Sequence, residues 1–167
     1  MFNNVRSKLA RAIAAYLIAQ GAGTAEDTSA ANVTDDSTYP RTTVRPGIAS
    51  PNPPLTGNYR IRVMISIKGS AVSDIGQNAR VSFDTRVGAI CDAMMNSDDS
   101  QTLIATAQGI TAAGRALAIA DDNADMSDFT CLDVYDAGFG EGEASSEGTS
   151  WEEVLLFDAD CCGANVD

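Results

Sequence analysis

The chain contains no histidine. Without imidazole, neither a Ser-His-Asp nor a Cys-His mechanism can be built. Cations are also scarce: 11 Lys+Arg stand against 23 Asp+Glu, a net charge of −12. That balance disfavours tight wrapping of nucleic acid, which needs clustered cations to release counterions. The four cysteines (Cys91, Cys131, Cys161, Cys162) include no C-x-x-C pair. A zinc site would need four scattered thiolates, two of them adjacent, so reduced structural thiols made in a cytoplasm are the preferred reading. A disulfide stays open, because spacing alone does not decide it. Beyond the opening segment, no run approaches the ~20 apolar residues of a membrane span.

The opening itself, M-F-N-N-V-R-S-K-L-A-R-A-I-A-A-Y-L-I-A, imitates a secretory signal. Val5, Leu9, Ile13 and Leu17 nevertheless fall at four-residue spacing, with Arg6, Lys8 and Arg11 elsewhere. A retained helix that packs on the core is expected here, in preference to a cleaved leader or a membrane-surface helix. Asn3 or Asn4 would cap it, and Gly21 and Gly23 would end it after about Gln20.

At 167 residues and 44% apolar content, the chain is expected to form one globular domain, 1–167. Charge is divided unevenly along it. The residues before Ser97 hold ten of the 11 basic and seven of the 23 acidic residues, a balance of +3, which leaves −15 for the remainder. Two surfaces of opposite sign would suit packing of one subunit against the next, or an acidic surface that repels polyanions.

The strongest local signal is Tyr59 to Lys68, Y-R-I-R-V-M-I-S-I-K. Ile61, Val63, Ile65 and Ile67 alternate with Arg60, Arg62, Met64, Ser66 and Lys68. Period two with β-branched residues on one face marks a strand that buries one side under helices. Before it, Thr24 to Thr38 reads as a linker or irregular loop, and Arg41 to Ile48 as a short strand in which Pro46 belongs at an end or on an edge. A Pro-rich excursion at 49–58 joins the two strands and is too long for a tight hairpin.

After Lys68, helical spacing returns. Asn78 to Met95 carries Phe83, Val87, Ile90 or Cys91, and Met94 as a buried stripe, with Arg80 and Asp84 paired outside. Ser100 to about Ala120 is a third helix with Leu103, Ala107, Ile110, Gly114 and Leu117 in register. Its Gly109 and Gly114 either weaken it or let another helix come close. Phe129 to Tyr135 and Trp151 to Asp160 are the closing strands, an antiparallel pair joined by an acidic Gly/Ser loop at 137–150. The expected fold is therefore α+β: an antiparallel (mixed) four-stranded sheet packed by an N-terminal helix and two central helices.

Constellations that carry chemistry are weak. Asp121, Asn123 and Asp125 copy the opening of a calcium loop, but Met126 stands where glycine is needed and Leu132 where glutamate is. A solvated turn is preferred. Asp158 and Asp160 share a strand face, yet nothing nominates the pocket a hydrolase would need. Gly138, Gly140 and Gly142 alternate without the strand-to-helix context of a phosphate loop. No catalytic, cofactor or metal residue is nominated, and no enzyme activity is expected. Arg60, Arg62 and Lys68 form a basic face, read as a candidate subunit interface for acidic residues of a neighbour. Glu141, Glu143 and Glu147 are candidates for facing a channel or a tube.

The order helix, strand, long excursion, strand, helix, helix, strand, acidic loop, strand resembles the tail terminator (tail completion) proteins of long-tailed bacteriophages. The resemblance covers nearly the whole chain. It lies in Val5 to Gln20, the strands around Val44 and Y-R-I-R-V-M-I-S-I-K, the helix Asn78 to Met95, I-T-A-A-G-R-A-L-A, F-T-C-L-D-V-Y and the closing W-E-E strand. It implies a structural virion protein without catalysis. Such a protein would form a homohexameric ring at the head–tail interface, between the tail tube protein and the head-tail connector or head-closure protein, with DNA passing through. It would be assembled in the host cytoplasm and located in the tail or neck of the virion. An acidic lumen fits a conduit that must not hold DNA. Two other readings stay open: another neck or tail-tube ring protein, or an acidic, calcium-dependent binding module.

Overall fold

The computed structural model describes residues 5–27, 40–51, 58–70, 78–95, 102–120, 126, 128–140 and 150–162. Three helices and five strands follow one another as α1 (Val5–Ala19), β1 (Ala25–Asp27), β2 (Arg41–Pro51), β3 (Asn58–Ser70), α2 (Ala79–Met95), α3 (Thr102–Ala120), β4 (Thr130–Gly140) and β5 (Ser150–Cys162). The strands form one mixed sheet in the order β1-β2-β3-β5-β4. The fold is α+β, as expected.

β3 is the middle strand. Ile61, Val63, Ile65 and Ile67 are fully buried on one face. Burying such a side chain contributes about 1.5–3 kcal/mol, so this alternation alone fixes which face meets the helices. One hydrophobic cluster joins these residues to Leu9, Ile13 and Leu17 of α1, Phe83, Ile90 and Met94 of α2, Ile110 of α3, and Leu155 and Phe157 of β5. The helices thus cover one face of the sheet.

α1 ends where the sequence expects it. Gly21 takes φ 74° and Gly23 φ 96°. Ala22 N–H closes back on Leu17 O at 3.0 Å, so the last carbonyls are satisfied as the chain turns. The two glycines of α3 serve close approach. A Cβ at Gly109 would lie 2.6 Å from the Tyr16 ring, and one at Gly114 would lie 3.0 Å from Ala12 Cβ. In the stripes of α2 and α3, Val87 and Leu117 are half-buried. The side chain of Leu103 lies outside the described residues.

The sheet has five strands, not four. The additional one, β1, pairs in parallel with β2 through Ala25–Thr42, Glu26–Thr43 and Asp27–Val44. It falls in the stretch read as a linker, because three residues of small and acidic type carry no alternation. β2 and β3 are antiparallel neighbours, and Pro51 stands opposite Tyr59. The strands therefore claim both ends of the Pro-rich excursion, and residues 52–57 lie outside the described residues. Pro46 sits inside β2 rather than at its end. It lies beyond Val44, the last residue that β1 reaches, and a register shift follows between Pro46 and Ala49. An edge position beside a bulge tolerates a missing N–H donor.

β4 and β5 are antiparallel, as expected, but longer. Ala137 to Gly140 were assigned to the acidic loop and belong to β4. Gly138, at φ 92°, occupies a register shift after Asp136, which is why a glycine can stand inside this strand.

Candidate assembly surface

Opposite the helices, the sheet presents a second face built from the alternate residues of β2, β3 and β5. The register of β3 and β5 sets Arg60 beside Asp160 and Arg62 beside Asp158. Both pairs are bidentate. Arg60 Nε and Nη2 donate to the two Asp160 oxygens at 2.7 and 2.8 Å. Arg62 donates to Asp158 at 2.9 and 3.0 Å. The planar fork of arginine matches a carboxylate in this arrangement, and antiparallel strands hold the partners at the right separation. The Arg60 guanidinium also lies 4.9 Å from the Tyr135 ring centroid, so the contact runs across three strands.

These contacts leave their mark on protonation. The hydrogen bonds from Arg62 hold the Asp158 carboxyl below its ordinary range. The Tyr135 phenol is pushed up, chiefly by its hydrogen bond with Asp133. Further along the same face Ser66 Oγ donates to Glu152 at 2.8 Å. Lys68 is exposed and stands opposite Glu152 in register, with no ion-pair partner among the described residues.

The basic face of β3 is therefore not a free cationic patch. Arg60 and Arg62 are engaged by their own chain, and Asp158 and Asp160, which do share a face, are the partners. The signal was present in the sequence. Two Arg-x-Arg and Asp-x-Asp triplets on strands that pair antiparallel can meet in register, but only if those strands are neighbours, and nothing local states that. Glu141, Glu143 and Glu147 lie outside the described residues, as do Asp121 to Asp125 and Gly142. Among the described residues no group of three or more possible metal ligands comes together. All four cysteines are free thiols, with Cys131 and Cys161 buried as register partners on β4 and β5. Hydrogen bonding with Cys131, followed by burial, pushes the Cys161 thiol up.

Other charged groups staple the two layers. Lys8, set off the apolar stripe of α1 by its spacing, is nevertheless 1% exposed. Its Nζ meets Asp128 Oδ1 at 2.7 Å. Arg86 of α2 is half-buried and donates through Nη1 to Thr24 O at 2.9 Å and to Thr42 Oγ1 at 3.3 Å. It lines a shallow cleft of about 390 Å³ with Gly21, Gly23, Pro40, Ser82 and Thr85. Arg80 and Asp84 form the expected pair one helical turn apart, at 3.2 Å and well exposed. Arg80 also lies 5.2 Å from the centroids of Phe83 and Trp151.

Two edges bound this surface. On one side β1 covers only Thr42 to Val44, so Arg45 to Pro51 forms an open edge among the described residues. On the other, β4 pairs with β5 alone. Ile48 on β2 is 82% exposed and Phe139 on β4 is 67% exposed. No protein-family profile matches the chain, and no curated protein matches it. No helix among the described residues is long and apolar enough to cross a membrane.

Proposed function

We propose that this protein is a structural component of a virion, a tail terminator of a long-tailed bacteriophage. Copies form a ring, a homohexamer, that ends the tail tube and joins it to the connector while DNA passes through. Its partners are further copies of itself, the tail tube protein and the connector or head-closure protein. It acts in the tail or neck of the particle after assembly in the host cytoplasm, and it performs no catalysis. The observation that carries this reading is the layout. Three helices lie on one face of an α+β sheet, and apart from the added β1 the elements follow the order the resemblance implies, which leaves the other face and both edges for neighbours.

The charge supports the same reading. A net −12 keeps DNA from adhering to a conduit. Glu141, Glu143 and Glu147 are the proposed lumen- or tube-facing residues. Within the proposed interface, Arg60 and Arg62 contribute a neutralised, flat ladder, and Lys68, opposite Glu152, contributes an exposed charge with no ion pair among the described residues. Electron microscopy and native mass measurement of the purified protein, alone and with tail tubes, test the reading. Rings on tube ends support it; a strict monomer that never caps a tube refutes it. A calcium-dependent binding module would instead melt higher on calcium addition, a shift that a ring protein does not require.

A further inference from the structure

Several cations that the fold sets against another element meet a carboxylate of their own chain. Lys8 has Asp128, Arg41 has Glu26, Arg60 has Asp160 and Arg62 has Asp158. Arg86 of α2 is half-buried and has no carboxylate among the described residues. Asp84, two positions before it, is committed to Arg80, and Glu26, two positions after Thr24, is committed to Arg41. The acceptors it does have, Thr24 O and Thr42 Oγ1, are neutral, and Nη1 alone serves both. Burial accordingly pulls the guanidinium below its ordinary value, with no described carboxylate to offset it. Folding does not require that cost, because a neutral donor could serve the same two oxygens.

The surroundings leave the rest of the guanidinium available. A Cβ at Gly23 would lie 2.3 Å from Arg86 Cζ, nearer than to Nη2 at 2.5 Å or Nε at 2.7 Å. Gly23 therefore lies over the plane of the guanidinium, not along its Nε–Nη2 edge, and only glycine, also at φ 96°, permits that approach. Arg60 and Arg62 use this same edge, Nε with Nη2, to grip Asp160 and Asp158. In Arg86 neither of these nitrogens bonds to a described residue. The cleft beside it adds the hydroxyls of Ser82 and Thr85, which also have no partner among the described residues, and an apolar wall from Val81 and Ala89. One cation, two hydroxyls and an apolar wall match a carboxylate on an aliphatic stem. A phosphate dianion would call for a second cation, and Arg41, which follows Pro40 at the cleft, is held by Glu26.

We propose that the Arg86 cleft is a carboxylate-binding site, in which Nε and Nη2 take the two carboxylate oxygens, Ser82 and Thr85 add hydroxyl donors, and the aliphatic stem lies on Val81 and Ala89. The same chemistry is offered by an Asp or Glu side chain of a second copy of this acidic chain and by a free small aliphatic acid. The site stands whether or not copies close into a ring.

The test uses the full chain, with butyrate and inorganic phosphate as probes and NMR of the Arg86 Nε–H and Gly23 N–H signals as the readout. Butyrate is expected to shift both signals saturably, and phosphate to do so more weakly. Arg86→Lys keeps a cation but loses the fork, and should weaken butyrate binding at least about tenfold. Should that variant unfold, Ser82→Ala with Thr85→Val decides instead, since it leaves both in-chain hydrogen bonds of Arg86 in place; the expected loss is at least about threefold. Sedimentation of the same proteins separates the two sources. A carboxylate from a second copy shows as self-association that the variant weakens to a similar degree and butyrate competes away; a free acid shows as butyrate binding with association unchanged. The site is overturned when neither butyrate binding nor association depends on these residues, or when phosphate binds more tightly than butyrate. Rings that form without Arg86 leave the ring reading intact.

Discussion

Removing Asp128 is expected to be far more damaging than removing Lys8, although the two form one ion pair. The Lys8 side chain is 2% exposed and that of Asp128 26%. An ammonium group at that depth depends on its carboxylate for nearly all of its compensation. Asp128→Ala therefore strands a buried charge, at a cost of about 3–5 kcal/mol. Lys8→Met replaces the stem with an apolar chain of similar length and leaves a carboxylate that still reaches water, at a cost of about 1–2 kcal/mol. In the Lys8→Met background, Asp128→Ala no longer strands an ammonium and should cost about 1–3 kcal/mol less than it does in the wild type. For a chain of this length, a loss of about 3 kcal/mol lowers Tm by roughly 6–12 °C. Urea unfolding of the two single variants and the double variant, at concentrations too low for self-association, measures all three terms. If Asp128→Ala costs the same with and without Lys8, the ion pair is not what holds α1 to the start of β4, and the reasoning fails.

Two glycines in helices should respond in opposite directions. A Cβ at Gly88 of α2 meets nothing within 4 Å, so Gly88→Ala should stabilise by about 0.5–1 kcal/mol through helix propensity and reduced unfolded-state entropy. At Gly109 the ring it would strike is pinned by the Tyr16 Oη hydrogen bond to Ala93 O at 2.7 Å, so Gly109→Ala should lose about 1–3 kcal/mol despite the same propensity gain. Equal shifts in chemical denaturation would refute the close approach of α1 and α3. Acid is expected to act partly through Asp158, whose carboxyl is held below its ordinary range by Arg62. Its contribution is complete above the unfolded-state pKa of about 4 and is lost as pH falls through the lower folded value. Urea midpoints between neutral and acidic pH should therefore fall less steeply in Asp158→Asn than in the wild type; an unchanged slope removes Asp158 from the acid transition.

How much of this was legible depended on whether the signal was local. The body and buried face of β3 were readable from its alternation over Tyr59 to Lys68, but its ends were not, since Asn58, Gly69 and Ser70 carry no such signal and belong to the strand. α1 was readable because apolar spacing and two terminating glycines agree. β1 was not, since three residues become a strand only when β2 offers them an edge. The end of β4 was hidden for the opposite reason: Gly138 and Gly140 carry loop chemistry, and only a register shift against β5 turns them into strand. The charged groups failed in a third way. Arg60 and Arg62 were placed on the correct face, but their partners lie 100 and 96 residues away. Lys8 was placed off the apolar stripe of its helix, and nothing local shows that it is buried against Asp128, 120 residues further on. Local periodicity orients a side chain without naming what it will meet.

That distinction changes what a charge reversal can report. Arg62→Glu would be the direct probe of a free basic patch, since loss of assembly would identify the patch as an interface. In this sheet the substitution sets a second carboxylate against Asp158 in register, and like charges directly opposite on neighbouring strands are destabilising. A failure to assemble would then follow from a weakened fold. The informative experiment is the swap of Arg62→Glu with Asp158→Arg, which restores an opposite-charge pair of the same separation with its direction reversed. These are the partners to exchange, since Asp158 keeps 23% of its side chain exposed while Asp160 keeps 10% and leaves less room for an arginine. Arg62→Glu alone should melt below the wild type, and the swapped protein should recover most of that loss. Assembly should recover with it, because the exchange restores the ladder and leaves the net charge of the face unchanged. A swapped protein that folds like the wild type yet no longer assembles would show that Arg62 itself, and not only a neutralised ladder, meets the neighbouring copy.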